Sequence, residues 1–178
     1  MSIRDIRWKY VLLWALVILS ILSLANYSYR ILGLERPLEK SLARDPDVAW
    51  SEVTASQNKT VVKVSLKYVE DLSLTHLRIE ETVKAALGNR DYEIVVQDVP
   101  DEILEKAYAS IHYYVEEARI RGNFGEMARQ STSVLEEAGI DDFKLTVNQD
   151  RIYVQLRLQS HYLYKIMKLK DVKGGTEL

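Results

Sequence analysis

The sequence predicts an α+β protein in which an amino-terminal transmembrane helix precedes a two-layer α/β sandwich. Three observations support this prediction. Residues 10–29 contain no charged side chain. Within residues 60–169, some segments repeat apolar side chains every second position, as strands do, and others repeat them every three or four, as helices do. The predicted element order is β-α-β-α-α-β-β-β, ending in an antiparallel meander.

Composition and charge limit the classes of protein. The chain of 178 residues is 47% hydrophobic and 28% charged, which excludes wholesale disorder because apolar surface is ample. It has no cysteine, so disulfides and thiolate sites are excluded. Residues 1–30 carry four basic and one acidic side chain, and residues 31–178 carry 20 basic and 25 acidic ones. The acidic part has no basic stripe, which argues against nucleic acid as a partner.

The uncharged segment 10–29 predicts a transmembrane helix, with the lipid bilayer as partner. At roughly 1.5 Å per residue, a helix of this length extends about 30 Å, the thickness of the hydrocarbon core. Aromatic and basic residues at both ends are candidate membrane-interface anchors. They are Trp8, Lys9, Tyr10, Tyr27, Tyr29 and Arg30. We expect the short basic tail, residues 1–9, to stay cytoplasmic and the domain to lie outside the cytoplasm.

Cleavage of a signal peptide is the alternative interpretation of this segment. Ser23-Leu24-Ala25 matches a small-x-small cleavage site. The mature protein would then be secreted after a cut near Ala25. The length of the apolar run, and the aromatic residues beyond the cut, favour the anchor.

Residues 30–59 are predicted to form an amphipathic juxtamembrane helix and a linker. Leu34, Leu38 and Leu42 recur every four residues among charged side chains. This pattern is typical of a helix on the lipid headgroups, or of one whose leucines pack on the folded domain. Residues 48–59 are mostly polar and predict the linker.

The first half of the globular domain is predicted to be β-α-β. Residues 60–68 alternate apolar and polar side chains, which indicates a half-buried strand. Asp71 or Ser73 is expected to cap a helix that ends at Leu87. Residues 92–99 predict the next strand.

Two helices are predicted to follow Pro100-Asp101. Gly122 is expected to end the first. Asn123 and Glu126 have the spacing of a capping box at the start of the second, and Gly139 ends it.

The carboxyl-terminal part is predicted to be a meander. Residues 143–147 and 152–158 alternate as strands do, and Asn148–Arg151 is expected to form a tight turn. Residues 161–169 fit a third strand better than a helix. Residues 170–178 form a polar tail.

No catalytic, metal or cofactor site is predicted. The sequence contains no Walker A loop, no GxGxxG and no GxSxG motif. His112 and Glu116 share a helix face, but zinc normally needs three protein ligands. His161 lies on another element and would have to be brought beside them. We therefore interpret this polar cluster as surface contacts.

Tyrosine is the most unusual feature of the composition. The chain has 11 tyrosines and 2 phenylalanines. Tyrosine suits interfaces because its ring packs while its hydroxyl remains hydrated. Five of these residues form a candidate interaction surface: Tyr108, Tyr113, Tyr153, Tyr162 and Tyr164. The alternative is that they line half-exposed sheet edges.

These features together predict a single-pass membrane protein with a non-catalytic interaction or assembly domain. An anchor with a small α+β domain resembles the general architecture of bacterial envelope assemblies, such as secretion, pilus and sporulation complexes. That resemblance implies other envelope proteins, or further copies of this chain, as partners. One alternative is a ligand-sensing or solute-binding domain with an enclosed cavity of hundreds of cubic ångströms. Another is a membrane-tethered hydrolase, which would need titratable groups that converge.

Overall fold

The computed structural model describes residues 8–30, 33, 35–55, 59–140 and 142–169. In the first helix it describes the side chains of residues 11–25. Residues 1–7 of the basic tail, Leu34 and the polar tail 170–178 lie outside the described residues. So do the side chains of the six candidate interface anchors.

The described chain is α+β, as predicted, with five helices and six strands. The helices are α1 (Trp8–Arg30), α2 (Arg36–Leu42), α3 (Leu72–Leu87), α4 (Glu102–Arg121) and α5 (Phe124–Glu137). The strands are β1 (Val48–Ala55), β2 (Thr60–Leu66), β3 (Tyr92–Gln97), β4 (Asp142–Val147), β5 (Arg151–Leu158) and β6 (His161–Lys168). From β2 onward the element order is the predicted one, and the last segment is the strand that its alternation favoured.

The strands form two three-stranded sheets. In the first sheet β2 is central, antiparallel to β1 and parallel to β3. In the second sheet β4, β5 and β6 form the predicted antiparallel meander. One isolated bridge connects the sheets, because Val99 exchanges two backbone hydrogen bonds with Tyr162 of β6, at 3.2 and 3.1 Å.

The first hydrophobic core lies between the first sheet and α3. The apolar side chains of β2 at positions 62, 64 and 66 are fully buried, since alternation directs them to one face. Ile79 and Val83 of α3 pack in the same core. Asp71 caps α3 as predicted, accepting hydrogen bonds from the N–H groups of Ser73 at 2.9 Å and Leu74 at 3.1 Å.

The second hydrophobic core lies between the meander and the pair α4 and α5. Ile111 and Val115 of α4 and Leu135 of α5 are fully buried in it. Gly122 ends α4 in the left-handed conformation with φ of 75°, as predicted. The predicted capping box is wrong: Asn123 caps no helix N–H, and Glu126 bonds Arg129 and Gln130 instead.

Strand β5 is buried on both faces, which corrects the two-layer expectation. Ile152 and Val154 enter the second core, and Tyr153 enters the first. Gln155 is polar yet buried: its Oε1 accepts from Leu72 N–H at 3.1 Å, and its amide donates to the Val69 carbonyl. Gln155 therefore does not mark a solvated face, because buried hydrogen bonds satisfy it, whereas Arg157 near the end of β5 is partly exposed.

The predicted linker is also corrected. Positions 48–55 form β1, in which an irregularity between Val48 and Trp50 shifts the register, so its buried apolar side chains do not alternate strictly. Leu38 and Leu42 of α2 are buried in the first core, so α2 packs on the domain. Glu39 of α2 accepts a hydrogen bond from Val53 N–H of β1 at 3.1 Å.

Helix α1 comprises 23 residues. The side chains described in it, at positions 11–25, are all exposed and are apolar except for Ser20 and Ser23. Among the described residues, no helix is both long and apolar enough to cross a membrane.

Replacement of Gln155 by leucine is expected to destabilise the domain. The change leaves the buried Leu72 N–H and Val69 carbonyl without their partner, which costs about 2–4 kcal/mol in unfolding free energy. Urea unfolding of the full chain in detergent micelles, followed by circular dichroism, measures this loss. Gln97→Leu is the control, since Gln97 is exposed on β3. Equal stability of the two variants would contradict this account of β5.

Candidate functional site

A cleft of about 550 Å³ lies between the two sheets, where β3 and β6 separate. Residues 92–96 of β3 line one wall, and residues 164–166 with Lys168 of β6 line the other. At one end of the cleft, Val99, which follows β3, forms the isolated bridge with Tyr162 of β6. Both walls are sheet edges, since β3 and β6 are the outer strands of their sheets on this side.

The wall formed by β6 directs main-chain groups into the cleft. Tyr162 bonds outward to Val99, and alternate residues of an antiparallel strand direct their N–H and C=O groups to the same side. The main-chain groups of Tyr164, Ile166 and Lys168 therefore point away from β5. The N–H of Tyr164 donates to the Asp98 carboxylate at 2.8 Å. Those of Ile166 and Lys168 face the cleft.

The same reasoning applies to the wall formed by β3. The carbonyl of Asp91 accepts from Thr60 N–H of β2 at 2.8 Å. Alternation then turns the main-chain groups of Ile94 and Val96 away from β2 and toward the cleft. Two edges with hydrogen-bonding capacity thus face each other across the opening.

The floor of the cleft is an ion pair between the buried Arg151 and the partly buried Glu80. Arg151 of β5 is 7% exposed, and both of its terminal nitrogens bond the Glu80 carboxylate of α3, with Nη2 to Oε1 at 2.7 Å. His76 is also buried, with Nδ1 3.4 Å from the Tyr153 hydroxyl. Burial and the charge of Arg151 together lower the pKa of His76 to about 4, against the opposing effect of the Glu80 carboxylate. The imidazole is therefore neutral near pH 7.

The rim of the cleft carries excess positive charge. Four basic and two acidic side chains line the cleft. Lys59 is paired with Glu93 at 2.7 Å, and Arg151 with Glu80. Lys165 lies 3.9 Å from Asp98, a loose contact. Lys168 has no ion pair within 4 Å among the described residues, so Lys165 and Lys168 remain available to an anionic partner.

The structure does not bring the five candidate tyrosines together on one surface. Tyr153 is 1% exposed and Tyr164 is 3% exposed, so burial removes both from the predicted interaction surface. Tyr162 is half-buried and donates its hydroxyl to the Leu66 carbonyl at 2.7 Å. Tyr108 is half-buried on α4, whereas Tyr113 is 80% exposed there. Only Tyr164 of the five lines the cleft.

The three members of the predicted polar cluster have separate partners. His112 Nδ1 lies 3.2 Å from the Tyr108 hydroxyl, and Glu116 pairs with Arg119 at 2.6 Å. His161 Nδ1 lies 3.9 Å from Asp101. Within the described part of the chain, no group of three histidine or acidic side chains is arranged to hold a metal ion.

The sequence analysis missed the cleft residues. Glu80, Arg151, Lys165 and Lys168 occur in no motif, and in the sequence they look like ordinary polar positions of a helix and two strands. Comparison of the chain with models of known families, with curated proteins and with solved structures gives no match. The assignment of a function consequently rests on the fold and the cleft.

The buried His76 predicts a pH dependence of stability. Its pKa is lower in the folded state than the 6.5 of an unperturbed histidine, so below pH 6.5 the unfolded chain binds a proton that the folded chain does not. Between about pH 6.5 and pH 4, this group makes stability fall with decreasing pH, by at most about 1.4 kcal/mol per unit.

His76→Gln is expected to flatten this part of the profile. Urea unfolding of both proteins across the pH window gives the two slopes. The comparison uses slopes and not absolute stabilities, because the substitution also alters packing against Tyr153. If the two proteins lose stability with the same slope, His76 is not held in its neutral form by the folded protein.

Proposed function

We propose that this protein is a membrane-anchored binding module. Residues 10–29 cross the bilayer, the α+β domain lies outside the cytoplasm, and the cleft between β3 and β6 receives a partner without catalysing a reaction. The cleft carries this proposal, since two sheet edges with outward main-chain groups face each other beneath a lysine-bearing rim. Such edges are sites at which another chain can pair.

The anchor is supported by sequence and exposure. The 20 residues from Tyr10 to Tyr29 include no charged side chain. The apolar side chains described in α1 are exposed, from 37% at Val17 to 69% at Leu19. Exposure of so many apolar groups to water is unfavourable, and a bilayer removes that cost. Basic side chains lie on both sides of this segment, so their count does not decide the orientation; a tail of nine residues with three basic side chains more simply stays cytoplasmic.

The opposite edge of the first sheet is protected, which supports the cleft as the binding edge. Glu39 and Glu35 of the α2 region accept hydrogen bonds from the N–H groups of Val53 and Ala55, at 3.1 and 3.0 Å. Carboxylates that occupy edge N–H groups keep other strands from adding there. Association by strand pairing is therefore directed away from β1.

A ligand-sensing domain is the second candidate function. The volume of about 550 Å³ falls within the range of small-molecule sites, and the Arg151–Glu80 pair supplies polar groups at the floor. The cleft is open and lies between two sheets, whereas the sequence-based expectation for this function was an enclosed cavity. This geometry favours an elongated partner over an engulfed small molecule.

Single introduced cysteines test the anchor and its orientation, because the chain has none of its own. A membrane-impermeant maleimide is expected to label Glu105→Cys, at an exposed position of α4, on intact cells. It should label Ser2→Cys only after permeabilisation. Alkaline extraction should leave the chain in the membrane, and Leu16→Arg with Leu19→Arg should release it.

The other interpretations give different results in the same experiment. A soluble product that begins near Ala25 would establish secretion after cleavage. Labelling of Ser2→Cys alone on intact cells would reverse the proposed orientation.

A photo-reactive residue at position 168 tests the cleft in native membranes. We expect adducts of defined mass at this position, and none at position 105 on α4, because the partner occupies the cleft. Adding Lys165→Glu to the same chain should reduce the yield of adducts. Lys106→Glu should not change it, because Lys106 forms an exposed ion pair with Glu102 on α4. Identical adducts at positions 168 and 105 would contradict the cleft as the binding site.

A further inference from the structure

We infer that the occupant of the cleft is an extended, acidic segment of another polypeptide, which adds as a strand to the edge of β6. This inference rests on the proposed function of the cleft and specifies the chemistry of its partner. Main-chain hydrogen bonds would give such a segment its affinity, and the side chains beside the edge would give it specificity.

The edge of β6 is blocked at one end and open at the other. Val99 occupies the outward groups of Tyr162, and the Asp98 carboxylate occupies the N–H of Tyr164. Beyond that point no described residue bonds the outward N–H of Ile166 or Lys168. At the outer edge of β1, by contrast, carboxylates accept from main-chain N–H groups, as Glu39 does from Val53. The part of the β6 edge from Ile166 to Lys168 is therefore the part to which a partner strand can hydrogen-bond.

The opposite wall makes this stretch suitable for an inserted strand. Ile94 and Val96 of β3 also direct main-chain groups into the cleft. A segment between the walls thus meets hydrogen-bonding groups on both sides, antiparallel to one wall and parallel to the other. Because strands rise about 3.4 Å per residue, the wall from Tyr164 to Lys168 takes a segment of about five residues.

Charge complementarity specifies acidic side chains at a defined spacing. Directly opposed residues of neighbouring strands share a face of the sheet. Lys165 and Lys168 are three residues apart and lie on opposite faces of β6. Their opposed partners on an added strand are likewise three residues apart. The half-buried Ile166 between them favours an apolar residue opposite, so the expected segment has two acidic residues flanking an apolar one.

Capped hexapeptides provide a direct probe. The first has the order threonine, glutamate, threonine, valine, glutamate, threonine, which places its two glutamates three residues apart. In the second, glutamine replaces both glutamates. The third retains the glutamates but carries N-methyl groups on alternate amides, which removes main-chain hydrogen bonds along one edge. Succinate tests whether a small dianion suffices.

The measurement is NMR titration of the isotope-labelled full chain in detergent micelles. The first peptide is expected to shift and protect the amides of Ile166 and Lys168. The glutamine peptide should bind at least about 3-fold more weakly, because two partly exposed ion pairs are lost. The N-methylated peptide and succinate should leave these two amides unprotected from exchange.

A charge exchange controls for effects on folding. Lys165→Glu with Lys168→Glu should weaken the acidic peptide at least about 3-fold and strengthen a peptide with lysines in place of the glutamates. Lys84→Glu with Lys106→Glu, at exposed positions of α3 and α4, makes the same change in net charge and should alter neither affinity.

Several results would overturn the inference. They are equal binding of the N-methylated peptide, an unaltered preference after charge exchange, and the lack of any peptide response at millimolar concentration. If succinate alone perturbs the cleft, the strand partner is refuted while binding in the cleft stands. If position 168 also yields no specific adduct in membranes, the proposed function fails as well.

Discussion

Burial of β5 on both faces is the constraint on which the rest of the structure depends. Alternate side chains of this strand enter different cores: Ile152, Val154 and Leu156 pack with α4 and α5, while Tyr153 lies in the core beneath α3. Residues 151–156 of this strand are buried between the two cores, so the polar side chains among them cannot reach solvent. Gln155 and Arg151 must therefore find partners within the protein, and they find them in the loop before α3 and in Glu80.

The cleft follows from the same arrangement. One face of β5 packs in the first core, beneath α3. Among the described residues, however, the two sheets are joined by main-chain hydrogen bonds only between Val99 and Tyr162. Beyond that bridge β3 and β6 separate. The Asp98 carboxylate accepts from the N–H of Tyr164, and the outward N–H groups of Ile166 and Lys168 have no partner among the described residues. The ion pair between Arg151 and Glu80 lies where the sheets diverge. A fold in which one strand serves two cores thus leaves two sheet edges without a partner.

Local patterns predicted most individual elements correctly. Alternation identified β2 and β4 to β6, because each has residues of one type on a covered face. Helix signals at Asp71 and Gly122 act within a few residues, so neighbouring sequence suffices to recognise them. The failures have physical causes. An irregularity between Val48 and Trp50 interrupts the alternation of β1, and Asn123 shares the spacing of a capping box without bonding any N–H of α5.

By itself the sequence determined the α+β class, the order of elements from β2 onward and the uncharged segment that suggests an anchor, since each depends on local periodicity or composition. Only the tertiary structure decided that Tyr153 and Tyr164 are buried, that Arg151 and Gln155 of β5 are internal and that β3 faces β6. These features depend on pairings between residues 70 or more positions apart, such as Glu80 with Arg151 and Tyr164 with Val69. A short-range sequence pattern does not indicate which distant elements pack against the two faces of β5.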